Sequence, residues 1–210
     1  HQLHLLNKYI SNYNYGVLPV ISKRSAKKNI PAMLIIRKAR ETDREKLYAL
    51  YKAVAEKPFG IARNPQEVTE DYINHFMQEA AATGVEIVIE HPTDPGQLIA
   101  DIHCHKMAPA IFSHVLSDLT IAVHPDFQGK GLGKNLFTGM LDYITHYRTD
   151  IRRVELFTQE SNLRALALYK SIGFVAEGRF EQRVPGANNT LEADIPMAWF
   201  NPAYIAPSKK

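Results

Sequence analysis

The chain has 210 residues, 45% of them hydrophobic and 22% charged, which suits one well-cored domain and argues against a second independent one. No apolar run approaches the roughly 18–20 residues that span a bilayer, so no membrane segment is expected. The net charge of +3 does not point to a nucleic-acid partner: residues 1–32 hold five bases and no acid, which leaves 20 bases against 22 acids, about −2, on residues 33–210.

The basic stretch 1–32 (Lys8, Lys23, Arg24, Lys27, Lys28) is set apart by composition. It admits three readings: a flexible or loosely docked arm, a start that is not the native one, or a targeting peptide with unusually few arginines. The main domain is predicted over 33–203, with a short tail at 204–210. A lone cysteine, Cys104, cannot form an intramolecular disulfide and is read as a small core residue, consistent with a cytoplasmic location.

Met33–Arg40 alternates as a first strand. Thr42 and Glu45 stand as a capping-box pair, and Leu47, Leu50, Tyr51 and Val54 recur at helical spacing behind them. A second helix start is read at Asn64-Pro65-Gln66-Glu67, followed by the stripe Val68, Tyr72, Ile73, Phe76 and Met77. The period then falls to two. Val85–Glu90 and Leu98–Cys104 read as a hairpin about the turn-rich stretch 91–97, and a further strand is expected over Val115–Val123.

A glycine-rich turn leads into a long helix whose inner face carries Leu132, Leu136, Phe137, Met140, Leu141 and Ile144. Arg153–Thr158 is a strand, and Asn162–Ile172 a helix closed by Gly173 and Phe174. Two last strands, 174–184 and 191–200, flank a turn at 185–190. Pro196 lacks a ladder donor, which predicts a bulge or an unpaired edge there. The fold class that follows is α/β: a mixed, mostly antiparallel central sheet of about seven strands with helices on both faces.

The segment richest in chemistry is Gln128-Gly129-Lys130-Gly131-Leu132-Gly133-Lys134, between an apolar strand and an amphipathic helix. Glycines spaced by two let main-chain N–H groups converge, and a helix N-terminus adds partial positive charge, so a pyrophosphate is the natural guest. Lys130 and Lys134 add charge at the rim. A nucleotide-triphosphatase loop needs glycine at 128 and Ser or Thr at 135, where Gln128 and Asn135 stand. The turn also reads G-x-G-x-G rather than the G-x-G-x-x-G of dinucleotide folds.

On these residues the chain resembles the GCN5-related N-acetyltransferase (GNAT) superfamily. Gln128–Gly133 meets the Q/R-x-x-G-x-G/A signature, and Asn162, Ala165, Leu168-Tyr169 and Gly173-Phe174 meet N-x-x-A-x-x-L-Y-x-x-x-G-F. Ile36–Ala39 with Thr42-Asp43 is similar to the family's first strand and helix, so the resemblance covers about residues 34–200. It implies direct transfer of an acetyl group from acetyl-CoA to a primary amine of a small molecule or peptide, with a homodimer possible. A non-catalytic acyl-CoA sensor is the alternative.

The resemblance further implies a wedge where strands 115–123 and 153–158 splay apart. There the cofactor's pantetheine arm would pair with Ile121, Ala122 and Val123, and its phosphates would meet Gln128–Lys134. Asn162 and Ala165 would touch the arm, and Tyr169 would approach the sulfur as general acid. The position where many relatives carry a glutamate base is Ser117 here. Asp118 is therefore the candidate base, if a bulge turns it inward, with His103, His105 and a water chain as rivals. Asp101, His103 and His105 share a strand face that is read as solvated or substrate-facing, not as a metal site. Acceptor selectivity is expected from helices 43–57 and 66–82, loop 106–114 and turn 185–190. Ile111 and Phe112 are expected at that site or at a dimer interface.

Overall fold

A computed structural model of the chain describes residues 17–20, 34–57, 60–186 and 190–206. The rest of the basic extension, Met33, Ala187–Asn189 of the predicted turn and the last four residues of the tail lie outside the described residues.

The elements run β1 (Val17–Val20), β2 (Leu34–Lys38), α1 (Arg44–Ala55), α2 (Glu70–Thr83), β3 (Val85–Glu90), β4 (Leu98–Lys106) and β5 (Val115–Val123). They continue as α3 (Leu132–Tyr147), β6 (Arg153–Gln159), α4 (Leu163–Ser171), β7 (Val175–Ala176), β8 (Phe180–Pro185) and β9 (Leu191–Phe200). Among the described residues the sheet has nine strands in the order β1-β2-β3-β4-β5-β6-β9-β7, with β8 also on β9. Every pairing is antiparallel except β5 with β6. The excess over the expected seven has two sources. Val17–Val20 pairs with β2, and the stretch expected as a single strand over 174–184 is broken into β7 and β8.

Helices cover both faces. α3 lays Leu136, Phe137, Met140 and Ile144, all wholly buried, against β3 and β4, each side chain contributing roughly 1.5–3 kcal/mol by leaving water. On the opposite face Leu47, Leu50, Tyr51 and Val54 of α1 and Ile73 and Phe76 of α2 enclose Val88, Leu98 and Ala122. This double cover changes the reading of the hairpin. Of the expected solvated face, Asp101 and His103 lie buried beneath α1 and α2 together with Glu86, and His105 is only partly exposed. The Tyr51 hydroxyl donates to Asp101 Oδ2 at 2.6 Å, His103 Nδ1 lies 3.0 Å from the same oxygen, and the His103 ring stacks on Phe76 at 3.9 Å.

Two helix starts differ from expectation. The Thr42–Glu45 box does not form. A short 3-10 turn, Glu41–Asp43, leads into α1 instead, and Asp43 accepts the Arg40 N–H at 2.8 Å while also holding Arg37 at 2.6 Å. Asp43 rather than Thr42 thus stands at the start of α1, and its carboxylate serves both the turn and the buried Arg37 guanidinium, which needs a charged partner. Asn64 and Glu67 do form their box, but around a 3-10 turn; α2 proper starts after Thr69, whose hydroxyl accepts the Tyr72 N–H.

The end of α4 is as predicted: Phe174 N–H donates to Tyr169 O and Gly173 N–H to Lys170 O, and Phe174 is buried. Pro196 sits inside β9 where its missing donor costs nothing. It faces Phe157 of β6 across the ladder, while on the other edge β7 has ended and β8 has not begun. Its carbonyl still accepts the Glu177 N–H.

Candidate active site

β5 and β6 pair in parallel only at Val115–Arg153 and Leu116–Val154, and then part. The cause is visible one strand away. Between the pairs His105–Ser117 and His103–Thr120, β5 carries one residue more than β4. That extra residue is a bulge at Asp118, whose φ of 51° bends the strand away from β6. Beyond the bulge the ladder to β4 resumes, and His124 N–H donates to Ile99 O. Ladder bonds alternate along an antiparallel strand, so the main-chain groups of Ile121 and Val123 point to the open edge. Those of Ala122 are spent on β4, and its side chain is fully buried on the α1–α2 side. Ala122 is therefore not the cofactor contact expected of it.

Above this edge stands the N-terminus of α3. Gly131 caps it at φ 82°, a left-handed conformation that suits glycine, and offers no side chain to the first amides of the helix. A Cβ added at Gly131 would meet nothing within 4 Å, because it would project into open space. The uncapped donors, that space and the positive helix end fit a diphosphate. The space belongs to a cavity of about 460 Å³ lined by Gln128, Gly129, Gly131, Leu132, Gly133 and Lys134 on one side and by Asn162, Arg164, Ala165, Leu168 and Tyr169 on the other. Ile121, Val123 and Phe127 form its floor.

The two lysines part company. Lys134 lines the cavity; Lys130 folds back, donating to Asp126 O at 2.8 Å with its ammonium 4.4 Å from the Phe127 ring centroid. The second cation at the cavity is Arg164, which the sequence reading missed. It sits in the first turn of α4, two residues beyond Asn162, a position that marks it only once α3 and α4 are known to flank one cleft. Asn162 caps α4 through its Oδ1, which accepts the Ala165 N–H at 3.1 Å, and lines the cleft as well.

Tyr169 joins this cavity to a second of about 470 Å³. Its ring packs edge-on to Phe137 at 5.3 Å and is 8% exposed, and burial pushes the phenol up to about 12. Among the described residues its hydroxyl has no hydrogen-bond partner. The second cavity is walled by Ile61 and Ala62 from the α1–α2 connection, Leu119 and Thr120 from β5, and Phe157, Thr158 and Gln159 from β6. Val184 of β8 and Asp194 of β9 complete it. Asp194 had no signal in the sequence beyond its place in an alternating strand.

Asp118 lies at the bulge but lines neither cavity. Its carboxylate is largely exposed and stands 3.3 Å from His105 Nε2. His103 is sealed beneath the helices and also lines neither cavity. Loop 106–114, with exposed Ile111 and Phe112, is absent from both linings, and helices α1 and α2 contribute only through their connection. A third cavity of about 450 Å³ opens at the other end of α3, by Tyr143 and Arg148, away from the free amides. Among the described residues no cluster of three metal-ligating side chains occurs, and no helix is long and apolar enough to cross a membrane.

Comparison with known proteins agrees with this geometry. A family model for the acetyltransferase (GNAT) domain matches residues 33–175. A mycothiol acetyltransferase from Acidimicrobium ferrooxidans is 33% identical over 96 residues, 44% of this chain and 30% of that protein. The ribosomal protein bS18-alanine N-acetyltransferase of Escherichia coli is 36% identical over 73 residues, 33% of this chain and 48% of the relative. The chain thus spans less than half the length of these curated relatives. In fold, the yncA structure from Salmonella typhimurium, solved with acetyl-CoA, superposes with a TM-score of 0.69 at 19% identity, over 84% of this chain and 99% of that one.

Proposed function

Since this chain belongs to the GNAT acetyltransferase family, whose model matches well over half of its length, we propose that it transfers the acetyl group of acetyl-CoA directly to a primary amine. The observation that carries the reading is the parting of β5 from β6 beneath an uncapped helix N-terminus, because it opens a continuous cleft from diphosphate donors to a buried phenol. The first amides of α3 hold the diphosphate, with Lys134 and Arg164 supplying charge beside it. The open edge of β5 at Ile121 and Val123 receives the amide-bearing arm as an added strand, and an N–H of this edge polarises the thioester carbonyl as negative charge develops on it.

The role proposed for Tyr169 follows from its acidity. Transfer of its proton to a thiolate near 8.5 is uphill by roughly 5 kcal/mol if only the phenol is shifted, though dry surroundings raise the thiol as well. Its hydroxyl therefore acts by donating a hydrogen bond to the departing sulfur. Asp118 keeps a smaller part, holding the bulge with His105 at the rim. Acceptors in reach of this cleft are small-molecule amines and the amino groups of peptides. Titrating acetyl-CoA and measuring free CoA released across a panel of amines tests the proposal: saturable, amine-dependent release is expected. Tight acetyl-CoA binding without turnover on any amine would favour a sensor instead.

A further inference from the structure

The second cavity holds a feature that the transfer reaction itself does not require. Its lining is apolar at Ile61, Leu119, Phe157 and Val184 and neutral-polar at Thr120, Thr158 and Gln159, and among the described residues Asp194 is its one charged side chain. Asp194 lies on β9 opposite Gln159 of β6, with its side chain nine-tenths buried. The nearest cation is Arg183 Nε at 3.7 Å, too far for a hydrogen bond. That guanidinium is half exposed and rests over the rings of Phe157 and Phe180, 4.8 Å from each centroid. The carboxylate is thus buried, partly desolvated and short of a hydrogen-bonding cation, in the same cavity as Tyr169. A buried carboxylate in that condition is stabilised by any donor cation that enters.

Resting on the acetyltransferase reading, we propose that Asp194 is the residue that selects the acceptor: it receives a second, non-reacting ammonium group of a cationic acceptor, whose apolar body packs against Ile61, Leu119, Phe157 and Val184 while a separate neutral amine is the one acetylated. Burial shifts this carboxyl upward, and both Arg183 and the Ile195 N–H oppose the shift; the ionised form thus has one main-chain donor but no hydrogen-bonding cation.

The test compares 2-phenylethylamine with 2-phenylethanol, which differ in charge and hardly in shape, as ligands of the protein saturated with CoA. The unaltered chain should bind the amine at least about tenfold more tightly than the alcohol, and Asp194→Asn should reduce that preference to about twofold or less, as loss of a buried ion pair demands. Affinity for acetyl-CoA should be unchanged by the substitution. Arg183→Gln, at an exposed position, should increase the preference for the amine, because the competing cation is gone. A preference that survives Asp194→Asn, or that Arg183→Gln leaves the same or weakens, overturns the inference. So does an unaltered chain that binds the two probes equally. If acetyl-CoA itself fails to bind, the acetyltransferase reading falls first and this one with it; if acetyl-CoA binds and only the probe pattern fails, the assignment of Asp194 alone is lost.

Discussion

Replacing Gly131 by alanine tests the proposed diphosphate site separately from ordinary stability. At φ 82° an alanine is held in the left-handed region at a cost of about 1–2 kcal/mol, which for a chain of this size lowers Tm by roughly 2–8 °C. The new methyl meets no protein atom within 4 Å, so packing adds nothing to that figure. It does stand in the space beside the first amides of α3. Displacing the anion there removes at least one hydrogen bond to a charged group, worth about 1.5–3 kcal/mol, so acetyl-CoA affinity should fall about ten- to a hundredfold. Gly133→Ala is the internal control. Gly133 is helical, and its Cβ would sit 3.6 Å from Ile121 Cδ1 and 3.7 Å from Leu168 Cδ2, ordinary contacts, so affinity and Tm should hold or rise slightly. Calorimetric titration with acetyl-CoA and thermal denaturation of both variants measure the two effects. Undiminished affinity in Gly131→Ala, or equal damage from Gly133→Ala, would refute the placement of the diphosphate.

Three further outcomes follow from the buried groups. Tyr169→Phe should lower turnover about ten- to a hundredfold while leaving acetyl-CoA affinity nearly unchanged, since the ring still packs on Phe137 and only the donor to sulfur is lost; steady-state kinetics beside a binding titration checks this. Glu86, buried beside Asp101, keeps its proton up to about pH 9 when folded, against about 4.5 for its ordinary value. Its folded form therefore binds more protons between those limits, and its contribution to stability is full below about pH 4.5 and is lost as pH rises toward 9. Glu86→Gln should flatten that fall and gain about 1–3 kcal/mol over the unaltered chain near neutrality, read from urea melts across the pH range. An unchanged pH profile would place the penalty elsewhere. Cys104 is fully buried with its thiol pushed up to about 12, so its alkylation in the native state should proceed at the rate of global opening and accelerate with urea.

Much of the cleft can be read from local pattern. Gln128–Lys134 and Asn162–Phe174 each lie within a single strand-to-helix or helix-to-strand junction, where glycine conformation, capping and helical spacing are properties of adjacent residues. That is why the glycine-rich turn, the cap at Asn162 and the closure around Gly173 stand where they were expected. Strand period served as well for β3, β4 and β5, but it could not say how many faces the sheet would bury. Asp101 and His103 look like a wet face until α1 and α2 are laid over them.

What lay beyond the sequence depends on which distant segments meet. Asp43 pairs with the buried Arg37, and Lys130 was drawn back over Phe127 while Arg164 took its place at the cavity. The bulge at Asp118 exists only as a difference in residue count between β4 and β5, so neither strand alone reveals it. Asp194 belongs to the second cavity because β9 runs beside β6 and the parting of β5 leaves that floor open. Short-range stereochemistry determined the glycine-rich turn and the helix that bears Tyr169. The second cavity was decided by tertiary packing, because burial and charge pairing are set by chain segments far apart in sequence.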